Sequence, residues 1–112
     1  MPQELPAEID VRTVKQMQDQ GDKFTLLDVR GPDEIQTAAI AGSTRIPMSE
    51  IVARVAELEP QRNERIVVHC HHGGRSSRVA EWLKQQGFTQ VQNLTGGIDA
   101  WSQECDPTVP RY

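Results

Sequence analysis

Apolar positions along this chain fall into short continuous runs, separated by stretches in which they recur every three or four residues. Thr25–Val29 (TLLDV) and Arg65–His69 (RIVVH) are apolar without alternation, the pattern of strands covered on both faces, as in a parallel sheet. Phe88–Leu94 (FTQVQNL) reads as a further short strand. Between the runs the spacing predicts helices. Asp10 is placed to cap one that carries Val14 and Met17 and stops at Gly21. Pro47–Leu58 carries Ile51, Val55 and Leu58 along one face. Ser76 or Ser77 is placed to cap a third helix, with Val79, Ala80 and Leu83 inward and Gly87 just past its end. A last helix runs from about Gly97 to Glu104, with Trp101 on its buried face. Strands and helices alternate, so the fold class is α/β with a largely parallel sheet. The tail, residues 106–112, holds Pro107 and Pro110 and is expected to lie extended on the surface.

A chain of 112 residues with no internal repeat is most simply one domain, spanning 1–112. Hydrophobic content is 37% with two Phe and one Tyr, which predicts a lean aliphatic core. Twelve basic against sixteen acidic residues give a net charge of -4, so there is no basic surplus for nucleic acid. No apolar run approaches the roughly 18 residues a membrane span needs. The opening MPQELPAEID is polar and acidic, the opposite of a signal or transit peptide. Cys70 and Cys105 do not make a disulfide framework. A soluble cytoplasmic domain with reduced thiols is therefore the expectation.

One segment concentrates the chemistry: Val67–Ser77, VVHCHHGGRSS. It places Cys70 at the carboxyl end of a buried strand and just before a helix, the edge at which open α/β sheets bind ligands. Adjacent Cys and His on extended chain point opposite ways, and no second cluster exists to complete a metal shell. No metal site is expected. A nucleotide P-loop would need a lysine after Gly74, where Arg75 stands. The remaining reading is a nucleophilic Cys70. The N-terminus of the following helix and the fixed charge of Arg75 favour its thiolate, His71 and His72 add to this if protonated, and Gly73 and Gly74 free the loop amides to turn toward the sulfur. A cysteine that merely fills a core position has no use for such flanking residues.

The chain resembles a rhodanese-like domain. The likeness rests on LLDVR (Leu26–Arg30), Glu34, AAIAGSTRIP (Ala38–Pro47), the loop segment itself and LTGGIDAW (Leu94–Trp101), in this order. The closing WSQECDPTVPRY is similar to the rhodanese-like domain at the C-terminus of adenylyltransferases that activate sulfur-carrier proteins. The resemblance implies a five-stranded, mainly parallel sheet flanked by helices. It implies a sulfurtransferase that carries sulfane sulfur as a persulfide on Cys70, cradled by His71, His72, Gly73, Gly74 and Arg75, without metal or organic cofactor. Cys70 through Arg75 is six residues, the sulfurtransferase loop length; the related phosphatases carry one residue more before their arginine. Two positions depart from the pattern: Ala38–Ser43 lacks a histidine often seen there, and the second loop position is His71 rather than Arg or Lys. Expected partners are a small anionic donor such as thiosulfate, and a sulfur-carrier or cysteine-desulfurase protein, with the chain a monomer or weak homodimer. A docking module without catalysis, and a thiol redox or arsenate-reducing enzyme that pairs Cys70 with Cys105, are the alternatives.

Other polar residues have structural readings. His69 ends a strand, Asp28 is suited to tying down loop amides, and Arg30 and Glu34 are spaced as a local pair. Trp82 and Trp101 read as packing residues, and Cys105 as a bystander.

Overall fold

The computed structural model describes residues 5–112; the first four residues of the polar opening lie outside them. Five parallel strands form one sheet: β1 (Glu8–Ile9), β2 (Thr25–Asp28), β3 (Thr44–Arg45), β4 (Arg65–His69) and β5 (Gln90–Leu94), in the order β1-β5-β4-β2-β3. The central pair β2 and β4 are the two apolar runs, and their alternate residues point to opposite faces. Leu27, Ile66 and Val68 enter one core layer with Leu58, Val79 and Leu83, while Leu26 and Val67 enter the other with Val14, Ile98 and Trp101. Both faces are therefore covered, which is why the strands are apolar throughout.

Among the described residues five α-helices surround the sheet: α1 (Val11–Asp19), α2 (Pro32–Thr37), α3 (Ile51–Arg54), α4 (Gly74–Gln85) and α5 (Gly97–Glu104). Asp10 caps α1 as expected, accepting from the Thr13 amide at 3.2 Å. Gly87, at φ +93°, follows the end of α4.

Four sequence expectations are corrected. The 47–58 segment is not one helix: 3-10 turns at Met48–Glu50 and Val55–Gln61 flank the single turn of α3. Pro60 cannot donate to a helical ladder, and the tighter turns still bury Ile51 and Leu58. Phe88 does not begin a strand, because its amide closes the end of α4 on the Leu83 carbonyl at 3.1 Å. Helix α4 is not capped by Ser76 or Ser77; it starts at Gly74 behind Gly73, with Ser76 buried inside its first turn. The tail is not simply extended. It turns at 106–109, buries Val109 against the α1–α5 layer, and receives a hydrogen bond from Ser102 on the Val109 carbonyl.

The chain leaving β2 passes to β3 on one side, while the chain leaving β4 passes to β5 on the other. The carboxyl ends of β2 and β4 thus flank the point where the winding reverses, the position at which such sheets form a crevice. Arg30 and Cys70 stand there.

Candidate active site

Cys70 leaves β4 with its residue only 1% exposed. Gly73, at φ +113°, turns the backbone in the left-handed region and aims its amide at Cys70 Sγ, 3.1 Å away. The Ser76 amide and hydroxyl each lie 3.4 Å from the same sulfur. Burial pushes the Cys70 thiol up, but the Ser76 hydroxyl and the amides of Ser76, Gly73 and Arg75 outweigh it, and the net direction is down. Gly73 needs its left-handed φ, whereas a side chain on Gly74, which begins α4, would meet open space.

The loop carbonyls are held from the far side. The Ile98 amide donates to the Cys70 carbonyl at 2.9 Å, and the Asp99 amide to that of His71 at 3.1 Å. This approach demands Gly97: a Cβ there would sit 2.6 Å from the His71 carbonyl oxygen and closer still to that of Cys70. The GG of LTGGIDAW is thus a backbone-to-backbone seat for the loop.

Arg75 does not offer a free charge to the sulfur. Its guanidinium is paired bidentately with Glu34 of α2, at 2.6 and 2.8 Å. That hydrogen-bonded pair lowers the Glu34 carboxyl to about 2, against the opposing effect of burial. Nor does Glu34 pair through its carboxylate with Arg30, as their spacing suggested. Arg30, with a fully buried side chain, binds Asp28 at 3.0 and 2.7 Å, and donates to the carbonyls of Glu34 and Ala38. Asp28 also accepts the Arg30 amide at 3.0 Å, which is the loop-tying role expected of it.

Sequence reading missed Tyr112. Its hydroxyl accepts from Arg30 at 2.9 Å and donates to Glu34 at 2.7 Å, and its ring stacks on His71, centroids 3.9 Å apart. No local signal marks it; a contact across 78 residues has no spacing rule.

The three histidines separate. His69 is buried in β4, bonded to Ser43 at 3.1 Å, and burial pushes its imidazole down to about 4. His71 lies half-buried beneath Tyr112, and His72 is exposed, 3.8 Å from Asp99. Donor atoms of His71, His72 and Asp99 fall within 4.8 Å of one another. Asp99 is already engaged by Arg111 at 3.0 Å and by Gln103 at 2.9 Å, and the Cys70 sulfur is not in the group.

Cys105 is not brought to the loop. It caps the far end of α5, seven residues beyond Ile98, or about 10 Å along the axis. It packs on the opposite core layer, where burial raises its thiol. Trp101 is buried in that layer, and Trp82 packs against the other. An open cleft of about 400 Å³ lies between α1, Trp101 and the tail, and neither Cys70 nor any other loop residue lines it.

A family model for the rhodanese-like domain matches residues 10–104. A protein named sulfurtransferase from Allochromatium vinosum is 35% identical over 102 residues, covering 91% of this chain and 94% of that one. The adenylyltransferase and sulfurtransferase MOCS3-1 of Zea mays is 35% identical over 111 residues, which are 95% of this chain and 24% of that protein. The chain spans between 23% and 31% of three plant relatives that it matches. The crystal structure of a rhodanese-related protein from Thermoplasma volcanium superposes with a TM-score of 0.80 at 33% identity, covering 96% of this chain and 100% of that one. With the sheet order, the cysteine loop and these likenesses in agreement, the chain belongs to the rhodanese-like domain family.

Proposed function

We propose that the chain, as a single domain, transfers sulfane sulfur through a persulfide on Cys70. The observation that carries this reading is the ring of donors on one sulfur: two amides and a hydroxyl within 3.4 Å, at the carboxyl end of a central strand. They favour a thiolate without a metal or cofactor and match the diffuse charge of a persulfide. The Cys70 thiolate attacks the outer sulfur of thiosulfate; the S–S bond of the donor breaks, a new S–S bond forms, and sulfite leaves with the electron pair. Cyanide, a thiol or a sulfur-carrier protein then attacks the outer persulfide sulfur, and the Cys70 thiolate is restored.

Gly73 shapes the cradle directly, and Gly74 launches the helix whose first-turn amides complete it. Arg75, with Glu34, fixes the loop, while His71 and His72 form its outer rim. Because Glu34 offsets Arg75, a protein-borne persulfide is as well suited a donor as an anion, and a cysteine desulfurase is the class that supplies one. The relative from maize, named for both adenylyltransfer and sulfur transfer, supports a sulfur-carrier acceptor. Two free thiols suit the reducing cytoplasm.

Cys70→Ser is expected to abolish sulfur transfer from thiosulfate to cyanide while the far-ultraviolet spectrum is unchanged, and Cys105→Ser to retain it. Full activity in the Cys70 variant would end this reading.

A further inference from the structure

Ser76 has one hydroxyl hydrogen and faces three acceptors. Its Oγ lies 3.4 Å from Cys70 Sγ and 3.2 Å from the Gly73 carbonyl oxygen, and it hydrogen-bonds Asn93 Oδ1 of β5. The Gly73 carbonyl already accepts from the Ser77 amide at 3.0 Å and from Asn93 Nδ2 at 3.3 Å. The contest for the hydrogen is therefore between the sulfur and the Asn93 oxygen. Asn93 has no freedom to turn. Its Nδ2 stands 3.1 Å from each carboxylate oxygen of Glu8, its register partner on β1. The hydrogen-bond partners of that nitrogen among the described residues, the Glu8 carboxylate and the Gly73 carbonyl, are all acceptors, so Oδ1 must face the hydroxyl. Glu8 in turn accepts from Thr95 at 2.9 Å. Ser76 is 0% and Asn93 5% exposed, so solvent does not arbitrate.

We infer that Asn93, oriented by Glu8, competes with the Cys70 sulfur for the Ser76 hydrogen, so that the chain Glu8–Asn93–Ser76 sets how much of Cys70 is thiolate. In the thiol state the S–H donates to Ser76 Oγ, and the hydroxyl donates to Asn93. When Cys70 ionises, its proton leaves to solvent and the Ser76 hydroxyl rotates to the sulfur. Asn93 Oδ1 is then a buried acceptor without a donor, which is unfavourable. Asn93 thus favours the thiol, while Ser76 and the loop amides favour the thiolate. In the persulfide the charge moves to the outer sulfur, and the hydroxyl is free to return to Asn93. Asn93 and Glu8 are positioning residues that act on the sulfur through Ser76.

The other charged or titratable groups about the loop include Arg75, His71 and His72 on it, His69 at the end of β4, Asp28 and Arg30 at the end of β2, Asp99 on α5, Glu34 on α2 and Tyr112 of the tail. None is a hydrogen-bond partner of Asn93, and all are retained in the variants that test the chain. In protein carrying Cys105→Ser, the thiolate of Cys70 is titrated by ultraviolet absorbance and by the pH dependence of alkylation. Asn93→Leu is expected to lower the apparent pKa by about one unit, roughly tenfold more thiolate at a fixed pH below it, and Ser76→Ala to raise it by about as much. Asn93→Leu placed on Ser76→Ala is expected to add no shift. Glu8 is exposed, so Glu8→Ala provides a test should the Asn93 variant not fold; it is expected to shift in the same direction by less. Glu8→Gln, which can still accept from Asn93, is expected to stay near the parent. An unchanged or raised pKa in Asn93→Leu, a shift that persists without the Ser76 hydroxyl, or equal shifts in Glu8→Gln and Glu8→Ala would overturn the inference. The inference deepens the persulfide reading at the same sulfur, yet titration of the resting thiol needs no sulfur donor, so the two fail separately.

Discussion

At the scale of single residues, the decisive correction is the partner of Arg75. Sequence spacing places Glu34 four residues from Arg30, but Arg30 follows β2 into the core, where Asp28 and two carbonyls take its donors. Glu34 is left facing a loop 41 residues away. The identity of each residue was legible; the pairing was not, because it depends on which strands end side by side. Since the Glu34 and Arg75 side chains are 26% and 36% exposed, their pair is worth roughly 1 kcal/mol after solvent screening. Glu34→Gln is expected to lower stability by about that amount in urea melts, and, by unmasking Arg75, to lower the KM for thiosulfate. A variant with parent stability and a raised KM would show that the pair does neither job.

At the scale of elements, glycines carry much of the site, and they do not carry it equally. The sequence shows Gly73-Gly74 and Gly96-Gly97 only as pairs. The structure divides their work: Gly73 supplies a left-handed turn, Gly74 a helix start in open space, and Gly97 a gap through which α5 reaches the loop backbone. Gly73→Ala is expected to cost ~1–2 kcal/mol from its φ alone. Gly74→Ala is expected to be neutral or to stabilise by up to ~1 kcal/mol, as alanine favours helix over glycine. Gly97→Ala must displace two loop carbonyls, so it is expected to cost more than either and to slow alkylation of Cys70. Thermal melts of the three variants give the ranking; equal losses at positions 73 and 74 would contradict this division.

The central strands, α1 and α5 were legible for a related reason. Strong periodicity, an Asp cap and glycine stops are local signals, and local signals survive folding. The two-residue strands β1 and β3 carry too few side chains to show a period. The tail buries one residue in seven, and the 47–58 segment keeps its apolar face while changing helix type. Such elements are fixed by what they pack on.

At the scale of the whole molecule, the two most strongly shifted acid-range groups tie stability to pH. His69 is held near 4 by burial, against 6.5 for an ordinary imidazole, and Glu34 near 2 by Arg75, against 4.5 for an ordinary carboxyl. In each window the unfolded chain binds more protons than the folded one, so stability falls as pH falls. Loss should begin below about pH 6.5 from His69 and continue from 4.5 toward 2 from Glu34. Urea midpoints from pH 7 downward test this; Glu34→Gln should flatten only the lower window. A midpoint constant between pH 6.5 and 4 would contradict the assignment of His69 as a buried neutral imidazole.

The fold gathers β2, β4, α2, α4, α5 and the tail about the loop that carries Cys70, and its sulfur is expected to receive another. Intact protein incubated with thiosulfate, weighed by mass spectrometry, and weighed again after cyanide tests that claim most directly. The mass is expected to rise by one sulfur atom, a gain absent in Cys70→Ser and lost on adding cyanide. An unchanged mass both with thiosulfate and with a cysteine desulfurase supplied with cysteine, or a gain that persists in Cys70→Ser, would contradict it.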